Sequence, residues 1–302
     1  MTVSIIIRAF NEERYLGELL AAIDAQEPAS FAVGEEEAAV EREVIVVDSG
    51  STDCTVPIAE SFGARVLHIS PESFSFGRSL NLGCQAATGT VLVFISGHCV
   101  PCDSLWLRRL VAPILDGRVV AAYGKQRGGE TTKLSEHQVF AKLYPDQSSI
   151  PQRGFFCNNA NAALKRSAWE QFRFDEDLLG LEDMYLGRQL IEAGMRLGYV
   201  AEAAVHHYHH ETWAQVRRRY EREAIALQRV RPEWHLTFFD FLRYFTASVL
   251  LDTSFALQER RWLRTAGEIL LFRFMQYWGS YRGNHEHRRM AEREKRRYFY
   301  PK

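Results

Sequence analysis

The sequence predicts an α/β fold with a Rossmann-like, mostly parallel central sheet and a helical appendage at its C-terminal end. Short apolar runs alternate with segments of helical periodicity over the first hundred residues, which is typical of a parallel sheet covered by helices. The run at residues 91–95 is apolar throughout, as expected of a strand buried on both faces. From residue 213 onward the pattern is helical, and Arg231-Pro232 marks the predicted boundary between domains at residues 1–231 and 232–302.

Composition restricts the class of protein. The chain has 302 residues, of which 46% are apolar and 25% charged, as is typical of a globular protein with a large core. A formal net charge of -1 gives no reason to expect a nucleic-acid partner. The sequence has no signal-peptide pattern, no apolar run near the ~18 residues of a membrane span, and an odd number of cysteines, five. We therefore expect a cytoplasmic protein with reduced thiols.

The first two predicted strands end in residues that suit a ligand site. Residues 3–7 form an apolar run, and residues 12–25 have leucine and isoleucine at helical spacing. Residues 44–47 form the second run, and the small, turn-forming residues 48–53 after it let a ligand approach the backbone. The other expected elements are a solvated loop at residues 27–43, a helix at residues 55–62 and a strand at residues 65–69.

The strand at residues 91–95 stops abruptly in Ser96-Gly97-His98. Ligands of open α/β sheets bind beyond the carboxyl ends of the strands, so His98 is placed to be a metal ligand or an acid-base group. The alternative is a turn histidine with an ordinary hydrogen bond. The chain has neither GxGxxG after its first strand nor GxxxxGK[ST], which argues against a dinucleotide-dependent dehydrogenase and a P-loop enzyme.

Cys99 and Cys102 form a CxxC sequence, a spacing found in redox centres and in zinc sites. A zinc site of this kind needs a second pair, but Cys54, Cys84 and Cys157 are isolated in the sequence. Neither role is favoured, and a metal-dependent thiol oxidoreductase is the third alternative for the whole chain.

Five segments contain the most distinctive motifs, and they are VSIIIRAFNEERYL, EVIVVDSGSTDCT, FSFGRSLNLGCQAATGTVLVFISGHCVP, NNANAALKRSAWE and FDEDLLGLEDMYLGRQLIEAG. Together with YGKQ at residues 123–126, they resemble family 2 glycosyltransferases of the GT-A fold, and most of all the bacterial rhamnosyltransferase-like branch. The resemblance covers roughly residues 3–220. It implies that residues 1–231 bind a nucleoside diphosphate sugar and transfer its sugar with inversion.

The resemblance also implies which residues bind the donor. Phe10 matches an aromatic residue against the base, and Asp48 matches the carboxylate that accepts the N–H of a pyrimidine. Arg78 and Asn81 match polar groups near the nucleotide, where Arg78 offsets diphosphate charge. The alternatives are a core phenylalanine, a turn-stabilising aspartate and surface hydrogen bonding. The other implied donor-binding residues are Ala9, Glu12, Ser96, Gly97, Lys125 and Asn161.

The chain departs from the family at residues 96–98. Most relatives have Asp-x-Asp there, which brings a divalent cation to the donor diphosphate, whereas this chain has Ser-Gly-His. Relatives also place a histidine at the position of His207. We therefore predict that His98 and His207 flank the diphosphate and hold a divalent cation, Mn²⁺ in preference to Mg²⁺, because imidazole suits softer metals. The rival is a metal-free site in which Arg78 or Lys125 offsets the leaving-group charge, with protonated His98 assisting.

Glu182 and Asp183 match the second carboxylate site of the family. In the implied mechanism Asp183 deprotonates an acceptor hydroxyl, which attacks the anomeric carbon as the nucleoside diphosphate leaves from the opposite face. The alternative for either carboxylate is a plain helix N-cap. The implied reaction moves rhamnose or another hexose to a saccharide or lipid-linked acceptor in bacterial polysaccharide or glycoconjugate synthesis. A nucleotide-sugar-binding relative without catalysis is the competing class.

The C-terminal region differs in character from the rest of the chain. Residues 282–302 have eight Lys or Arg against three Glu, with Tyr298, Phe299 and Tyr300 among them. Such a tail suits an anionic membrane surface, so we predict peripheral contact with the inner face of the plasma membrane. The alternatives are a homodimer formed by the preceding helical pair and an ordinary charged helix.

Overall fold

The computed structural model of the chain describes residues 2–27, 30–33, 36–286 and 299, and these form two compact units. The first unit comprises Met1–Arg127, Tyr144–Asp177 and Glu182–Tyr208, and the second comprises Gly128–Leu143, Leu178–Leu181 and His209–Lys302. The second unit therefore begins before residue 231 and includes two earlier segments. The domain division that we placed at residue 231 stays a prediction.

The described residues contain ten strands and ten helices. The strands are β1 (Thr2–Ala9), β2 (Ser30–Val33), β3 (Glu36–Ala39), β4 (Glu41–Asp48), β5 (Arg65–His68), β6 (Val91–Ser96), β7 (Cys99–Pro101), β8 (Ala121–Gly128), β9 (Asn161–Lys165) and β10 (Leu197–His207). The helices are α1 (Leu16–Asp24), α2 (Thr55–Ser61), α3 (Phe76–Ala86), α4 (Trp106–Leu115), α5 (Leu134–Leu143), α6 (Arg166–Gln171), α7 (Glu182–Glu192), α8 (Trp213–Val230), α9 (Phe238–Gln258) and α10 (Trp262–Asn284).

The first unit is built on an eight-stranded sheet with the order β5-β4-β1-β6-β9-β8-β10-β7. Strands β5, β4, β1 and β6 run parallel, so their carboxyl ends share one edge of the sheet. Strand β9 is antiparallel to both of its neighbours, and β10 is antiparallel to β7. The α/β fold predicted from the sequence is confirmed, and its parallel strands are those of the first hundred residues.

The central parallel strands are buried on both faces. Ile5, Ile6 and Ile7 of β1 are fully buried although successive side chains of a strand point to opposite faces. Helices therefore cover both sides of this part of the sheet, which explains why its strands read as unbroken apolar runs. Helix α1 buries Leu16, Leu19, Leu20 and Ile23 against this core, as their spacing predicted.

One predicted element is wrong. We expected a solvated loop at residues 27–43, but β2 and β3 form an antiparallel pair and β4 already begins at Glu41. Strand pairing satisfies backbone N–H and C=O groups whatever the side chains are, so an acidic composition did not exclude it.

The second unit is helical. Helix α10 packs closely on α8, because a Cβ added at Gly279 or Gly283 would lie 2.4 or 2.1 Å from a backbone oxygen of α8. Asp252 of α9 and Arg273 of α10 form a buried, two-bond ion pair with N–O distances of 2.7 and 2.8 Å. None of the described helices has the length and apolar character needed to cross a membrane. We predicted membrane contact for residues 282–302. Of these, only residues 282–286 and Phe299 are described, so this prediction lies mostly outside the described residues.

Candidate active site

The loops after β1 and β4 are joined by reciprocal hydrogen bonds. The backbone N–H of Asn11 donates to Ser51 Oγ over 2.9 Å, and the N–H of Thr52 donates to Asn11 Oδ1 over 2.8 Å. Asn11 has a φ of 56°, in the left-handed region that asparagine tolerates better than most residues. The carbonyl of Ala9 accepts from the backbone of Ser49 over 3.1 Å. These contacts hold the ends of two adjacent parallel strands as one rigid platform.

Phe10 and Asp48 lie on this platform in different environments. The Phe10 side chain is 38% exposed, so the alternative of core packing does not apply to it. Asp48 is buried, and its carboxylate accepts the backbone N–H groups of Gly50 and Ser51 over 3.1 and 3.2 Å. This is the turn-stabilising arrangement that we weighed against base recognition. The platform therefore carries an exposed aromatic ring and a buried carboxylate whose orientation is set by the backbone.

His98 and His207 face each other at the end of β6. Their Nε2 atoms are 3.1 Å apart, and the two rings are stacked with an interplanar angle of 26°. The antiparallel pairing of β7 with β10 brings them together, since it aligns His207 with Cys99. Gly97 is needed here because a Cβ at that position would lie 2.8 Å from Cγ of Glu12. The closeness of Glu12 in turn places its carboxylate 2.6 Å from His98 Nδ1.

Hydrogen bonds behind the two rings determine their tautomers. His207 Nδ1 lies 2.7 Å from Gln126 Oε1, and the amide of Gln126 is oriented because its Nε2 donates to Asn158 Oδ1 over 3.0 Å. Asn158 Oδ1 also accepts the backbone N–H of Ala160 over 2.9 Å. The backbone N–H of Ala160 thus fixes the amide of Asn158, which in turn fixes the amide of Gln126. Because Gln126 turns its oxygen toward His207, His207 must donate a hydrogen bond to it through Nδ1. His98 does the same toward the carboxylate of Glu12.

In the neutral tautomers both facing Nε2 atoms are therefore acceptors. Two imidazole lone pairs at this separation repel each other unless a cation lies near both, and the cation is a proton or a metal ion. Two nitrogens at ~2.1 Å from one ion are ~3 Å apart when the angle between the bonds is close to 90°. A second ring nitrogen fixed by a carboxylate or an amide oxygen is also the usual support of a metal-binding histidine. The residues present therefore fit a divalent cation.

The second pair of like groups is Glu182 and Asp183, which open helix α7. Both are buried. Asp183 accepts the backbone N–H of Asn159 over 2.9 Å and that of Met184 over 2.7 Å. Glu182 lies 3.4 Å from the guanidinium of Arg8, which also covers the ring of Phe76. Burial, and then the charge of Glu182, raise the pKa of Asp183 to about 7, against the lowering effects of the two N–H groups and Arg8.

Two consecutive asparagines connect the histidine pair with the carboxylate pair. Asn158 orients Gln126 and through it His207, whereas the backbone of Asn159 holds Asp183. Nδ2 of Asn159 is itself buried and makes no hydrogen bond within the described part of the chain. A buried donor without an acceptor is unfavourable, so this amide suits a ligand oxygen. Sequence reasoning missed Asn158, Asn159 and Gln126 as site residues, although they lie inside motifs that it singled out.

The structure does not bring every predicted donor-binding residue to these pairs. The amide of Asn81 bonds to Phe174, Glu176 and Trp169, and the buried amide of Asn161 bonds to Trp106 and to backbone carbonyls. Both amides are used within the fold. Arg78 donates to Glu176, and Lys125 is paired with the exposed Asp146. Ser96 is buried at the end of β6. Ligand contact by these residues stays a prediction.

The cysteines of the CVPC sequence have no reactive environment. Cys99 is fully buried and Cys102 partly so, and all five cysteines are free thiols. Burial raises the pKa of both thiols above the ordinary value, which lowers the fraction of reactive thiolate. The structure thus gives a thiol oxidoreductase no support.

Comparison with known proteins identifies relatives of the chain. Residues 4–172 match the model of glycosyl transferase family 2. The chain is 29% identical to the O-antigen chain rhamnosyltransferase of Salmonella typhimurium over 189 residues, which is 59% of this chain and 60% of the relative. It is 32% identical to the glycosyltransferase AglE of Haloferax volcanii over 210 residues, covering 65% of this chain and 64% of that one. The chain thus spans less than two thirds of the length of these relatives.

Solved structures agree with the fold. A mannosyltransferase from Pyrobaculum calidifontis, in complex with GDP-mannose and Mn²⁺, superposes with a TM-score of 0.59 at 18% identity, over 93% of this chain and 84% of the other. Glucosyl-3-phosphoglycerate synthase from Mycobacterium tuberculosis superposes with a TM-score of 0.54 at 22% identity, over 76% and 79% of the two chains. These likenesses confirm the GT-A fold that the motifs predicted.

Proposed function

The chain belongs to glycosyl transferase family 2, and on that premise we propose that it transfers a sugar from a nucleoside diphosphate donor to an acceptor hydroxyl with inversion. One observation carries the proposal: Asn158 and Asn159 join a histidine pair suited to a cation with a carboxylate pair suited to a proton. Such a site has one group for the departing diphosphate and another for the attacking hydroxyl. The rhamnosyltransferase name of the Salmonella typhimurium relative supports a hexose such as rhamnose as the sugar.

The platform formed by the ends of β1 and β4 is the proposed base site. The exposed ring of Phe10 offers a flat apolar face to a heterocycle. The carboxylate of Asp48, oriented by Gly50 and Ser51, is an acceptor for an N–H of the base. A pyrimidine and a purine both carry such an N–H, so the identity of the base is left to experiment.

His98 and His207 are the proposed ligands of a divalent cation. Bound there, the cation would neutralise the charge that develops on the departing diphosphate. A metal-free site would instead need a basic side chain, and the two candidates, Arg78 and Lys125, are already paired with Glu176 and Asp146. This pairing favours the metal site over its rival. Mn²⁺ is preferred to Mg²⁺ because the protein offers imidazole nitrogen, whereas Mg²⁺ takes oxygen ligands.

Asp183 is the proposed general base. A carboxylate with a pKa near neutrality both accepts a proton from a hydroxyl and loses it to solvent afterwards. The acceptor oxygen attacks the anomeric carbon, its proton passes to Asp183, and the bond to the diphosphate oxygen breaks on the opposite face. Asn159 is proposed to hold a hydroxyl of the acceptor or donor through its buried amide, next to the backbone N–H that positions Asp183.

A combined binding and turnover assay tests this function. Thermal shift with a panel of nucleoside diphosphates, with and without Mn²⁺, identifies the base because a ligand stabilises the fold that binds it. Donor hydrolysis and glycosyl transfer are then measured with the sugars of that base. We expect Mn²⁺-dependent stabilisation and turnover. Binding without turnover for any donor or metal would identify a nucleotide-sugar-binding relative that lacks catalysis.

A further inference from the structure

Exposed apolar side chains are concentrated on one part of the second unit. Among the described residues, thirteen of the seventeen large apolar side chains that are exposed lie on helices α9 and α10. Leu263 is 89% exposed and Phe239 81%. An ordinary solvent-facing helix surface is polar and charged. A concentration of this kind marks an interaction surface.

Four of the five exposed apolar side chains of α10 fall on one face, whereas the eight of α9 are spread around more than half of the helix circumference. On α10, Leu263, Leu270, Leu271 and Phe274 recur at the spacing of one helical face, opposite the buried Phe272 and Gln276. On α9, all of whose residues are described, Arg243 is the one exposed residue with a charge at neutral pH, because Asp252 is buried and the half-buried Asp240 carboxylate accepts from Thr237 at the helix N-terminus. We call the exposed side of the two helices the hairpin face, and it includes Phe239, Leu250, Leu251, Leu263, Gly267 and Leu270.

Gly267 stands in the centre of the α10 part of the hairpin face. Glycine is unfavourable inside a helix relative to alanine, so a helical glycine usually has a local reason. Gly279 and Gly283 of the same helix have one, since α8 crosses them at backbone contact. A Cβ at Gly267 would meet nothing within 4 Å, and Gly267 has no positive φ. Of the glycines in the described residues, it alone lacks both a neighbour within 4 Å and a left-handed backbone.

We propose that the hairpin face binds the hairpin face of a second copy of this chain, with a helix of the partner crossing at Gly267. Seven large apolar side chains that are 40–89% exposed, at ~100 Å² each, give ~700 Å², which approaches the ~800 Å² per partner of a stable interface; they are Phe239, Leu250, Leu251, Leu263, Leu270, Leu271 and Phe274. A two-fold axis brings one patch against its own copy, which is the commonest arrangement of soluble oligomers. A helix of the partner would approach the backbone of α10 closely at Gly267, as α8 does at Gly279.

Two other occupants fit the hairpin face less well. A lipid surface gains from large apolar side chains and has no use for a glycine in the middle of the patch. The chain's own residues 287–302 have seven Lys or Arg against two Glu, and the exposed residues around the turn from α9 to α10 include Arg260, Arg261 and Arg264 against one glutamate, Glu259. Like charges on both sides oppose their association.

Sedimentation velocity of the full chain over a concentration series tests the proposal. We expect a wild-type mass of twice 34.8 kDa. The decisive variant is Gly267→Leu, because leucine favours the helix and enlarges the apolar patch but blocks close approach of a second helix. It should raise the dissociation constant of the dimer about tenfold or more, as should Leu270→Glu. Leu143→Glu, an exposed leucine on α5, is the matched control and should leave the mass unchanged.

The same variant separates the occupants. A wild-type chain that stays at 34.8 kDa throughout would overturn the proposal, as would a dimer that Gly267→Leu leaves intact or strengthens. Co-sedimentation with vesicles of anionic phospholipid is measured in parallel. Binding to vesicles that Gly267→Leu strengthens, in a chain that stays monomeric, would assign the hairpin face to a membrane.

Discussion

The histidine pair and the carboxylate pair each place two like side chains together, but they differ in how the resulting repulsion is relieved. Each pair has two side chains of the same kind, buried or partly buried, and each side chain has a polar partner: Glu12 and Gln126 for the histidines, and Arg8 and backbone N–H groups for the carboxylates. His98 and His207 present two acceptor nitrogens 3.1 Å apart, which attract a cation. Glu182 and Asp183 present two carboxylates, and burial together with the charge of Glu182 raises the pKa of Asp183.

The difference lies in how each pair is compensated. Glu182 has a permanent cation, Arg8, so the carboxylate pair needs only one exchangeable proton. The partners of the histidine pair are the carboxylate of Glu12 and the amide of Gln126, and neither of them carries a positive charge. A cation between the rings must therefore be supplied from outside. The carboxylate pair can exchange a proton, which suits a general base for the attacking hydroxyl. The histidine pair can hold a cation, which suits the anionic leaving group.

The largest effect on turnover is expected from replacing Asp183, the proposed general base. Asp183→Asn should lower turnover by about 10²–10⁴-fold, the usual contribution of a general base, while the affinity for the donor stays nearly unchanged. Glycosyl transfer and calorimetric donor binding measure the two quantities. Glu192→Gln, an exposed carboxylate at the other end of α7, is the control and should be neutral. Near-normal turnover of Asp183→Asn would contradict the assignment.

The next effect concerns the cation. After exhaustive chelation, the wild type should lose activity and recover it with Mn²⁺, whereas His98→Ala and His207→Ala should recover poorly. A cation that stabilises the leaving group is worth several kcal/mol, so we expect a loss of about 10²–10³-fold. His235→Ala, an exposed histidine of the second unit, is the control. Full wild-type activity in the chelator would show that the histidine pair holds a proton instead.

Sequence reasoning found the chemically distinctive members of both pairs. His98 follows an unbroken apolar run and Asp183 opens an amphipathic helix, and such signals are local. The parallel strands were predicted for the same reason, since each one is a continuous apolar run in the sequence. The hairpin of β2 and β3 was missed because its charged residues have no such pattern.

The supporting residues could not be found in this way. Gln126, Asn158 and Asn159 have their roles only because β6, β9, β8 and β10 are neighbours in the sheet, an order that no local pattern specifies. The same sheet order places Asn161 against Trp106, where it supports the fold, whereas its motif suggested a donor contact. Tertiary hydrogen bonds thus use the amide of Asn161 within the fold and leave Nδ2 of Asn159 without a partner among the described residues, although the two asparagines look alike in sequence.

A smaller effect should come from the support of the histidine pair. Gln126→Leu removes the acceptor that fixes the tautomer of His207 and should weaken Mn²⁺ binding about 10–100-fold, as loss of such partners usually does. Gln126→Glu keeps an acceptor toward Nδ1 and adds negative charge, so it should retain Mn²⁺ binding. Calorimetric titration with Mn²⁺ distinguishes them. Equal weakening by both substitutions would mean that Gln126 acts through packing and not through the tautomer.

The last effect is a slope with pH and not a loss of activity. Because the pKa of Asp183 is raised to about 7 in the folded chain, the folded state binds a proton more tightly than the unfolded state between the ordinary value of 3.8 and about 7. The contribution of this group to the free energy of unfolding is therefore greatest at low pH. It falls by ~1.4 kcal/mol per pH unit as the pH rises through that window. Asp183→Asn should remove this slope from urea unfolding measured across the window.

Turnover should move in the opposite direction, since only the ionised carboxylate accepts a proton. Wild-type activity should rise through about pH 7 while the stability contribution of Asp183 declines. Glu136 provides an internal reference, because its bonds to His209 and Arg219 outweigh burial and lower its pKa to about 2. Its stabilising contribution is present above the ordinary carboxyl range and is lost only in acid. If the unfolding slope of the wild type and of Asp183→Asn were the same between about pH 4 and 7, Asp183 would not be the group that titrates in this window.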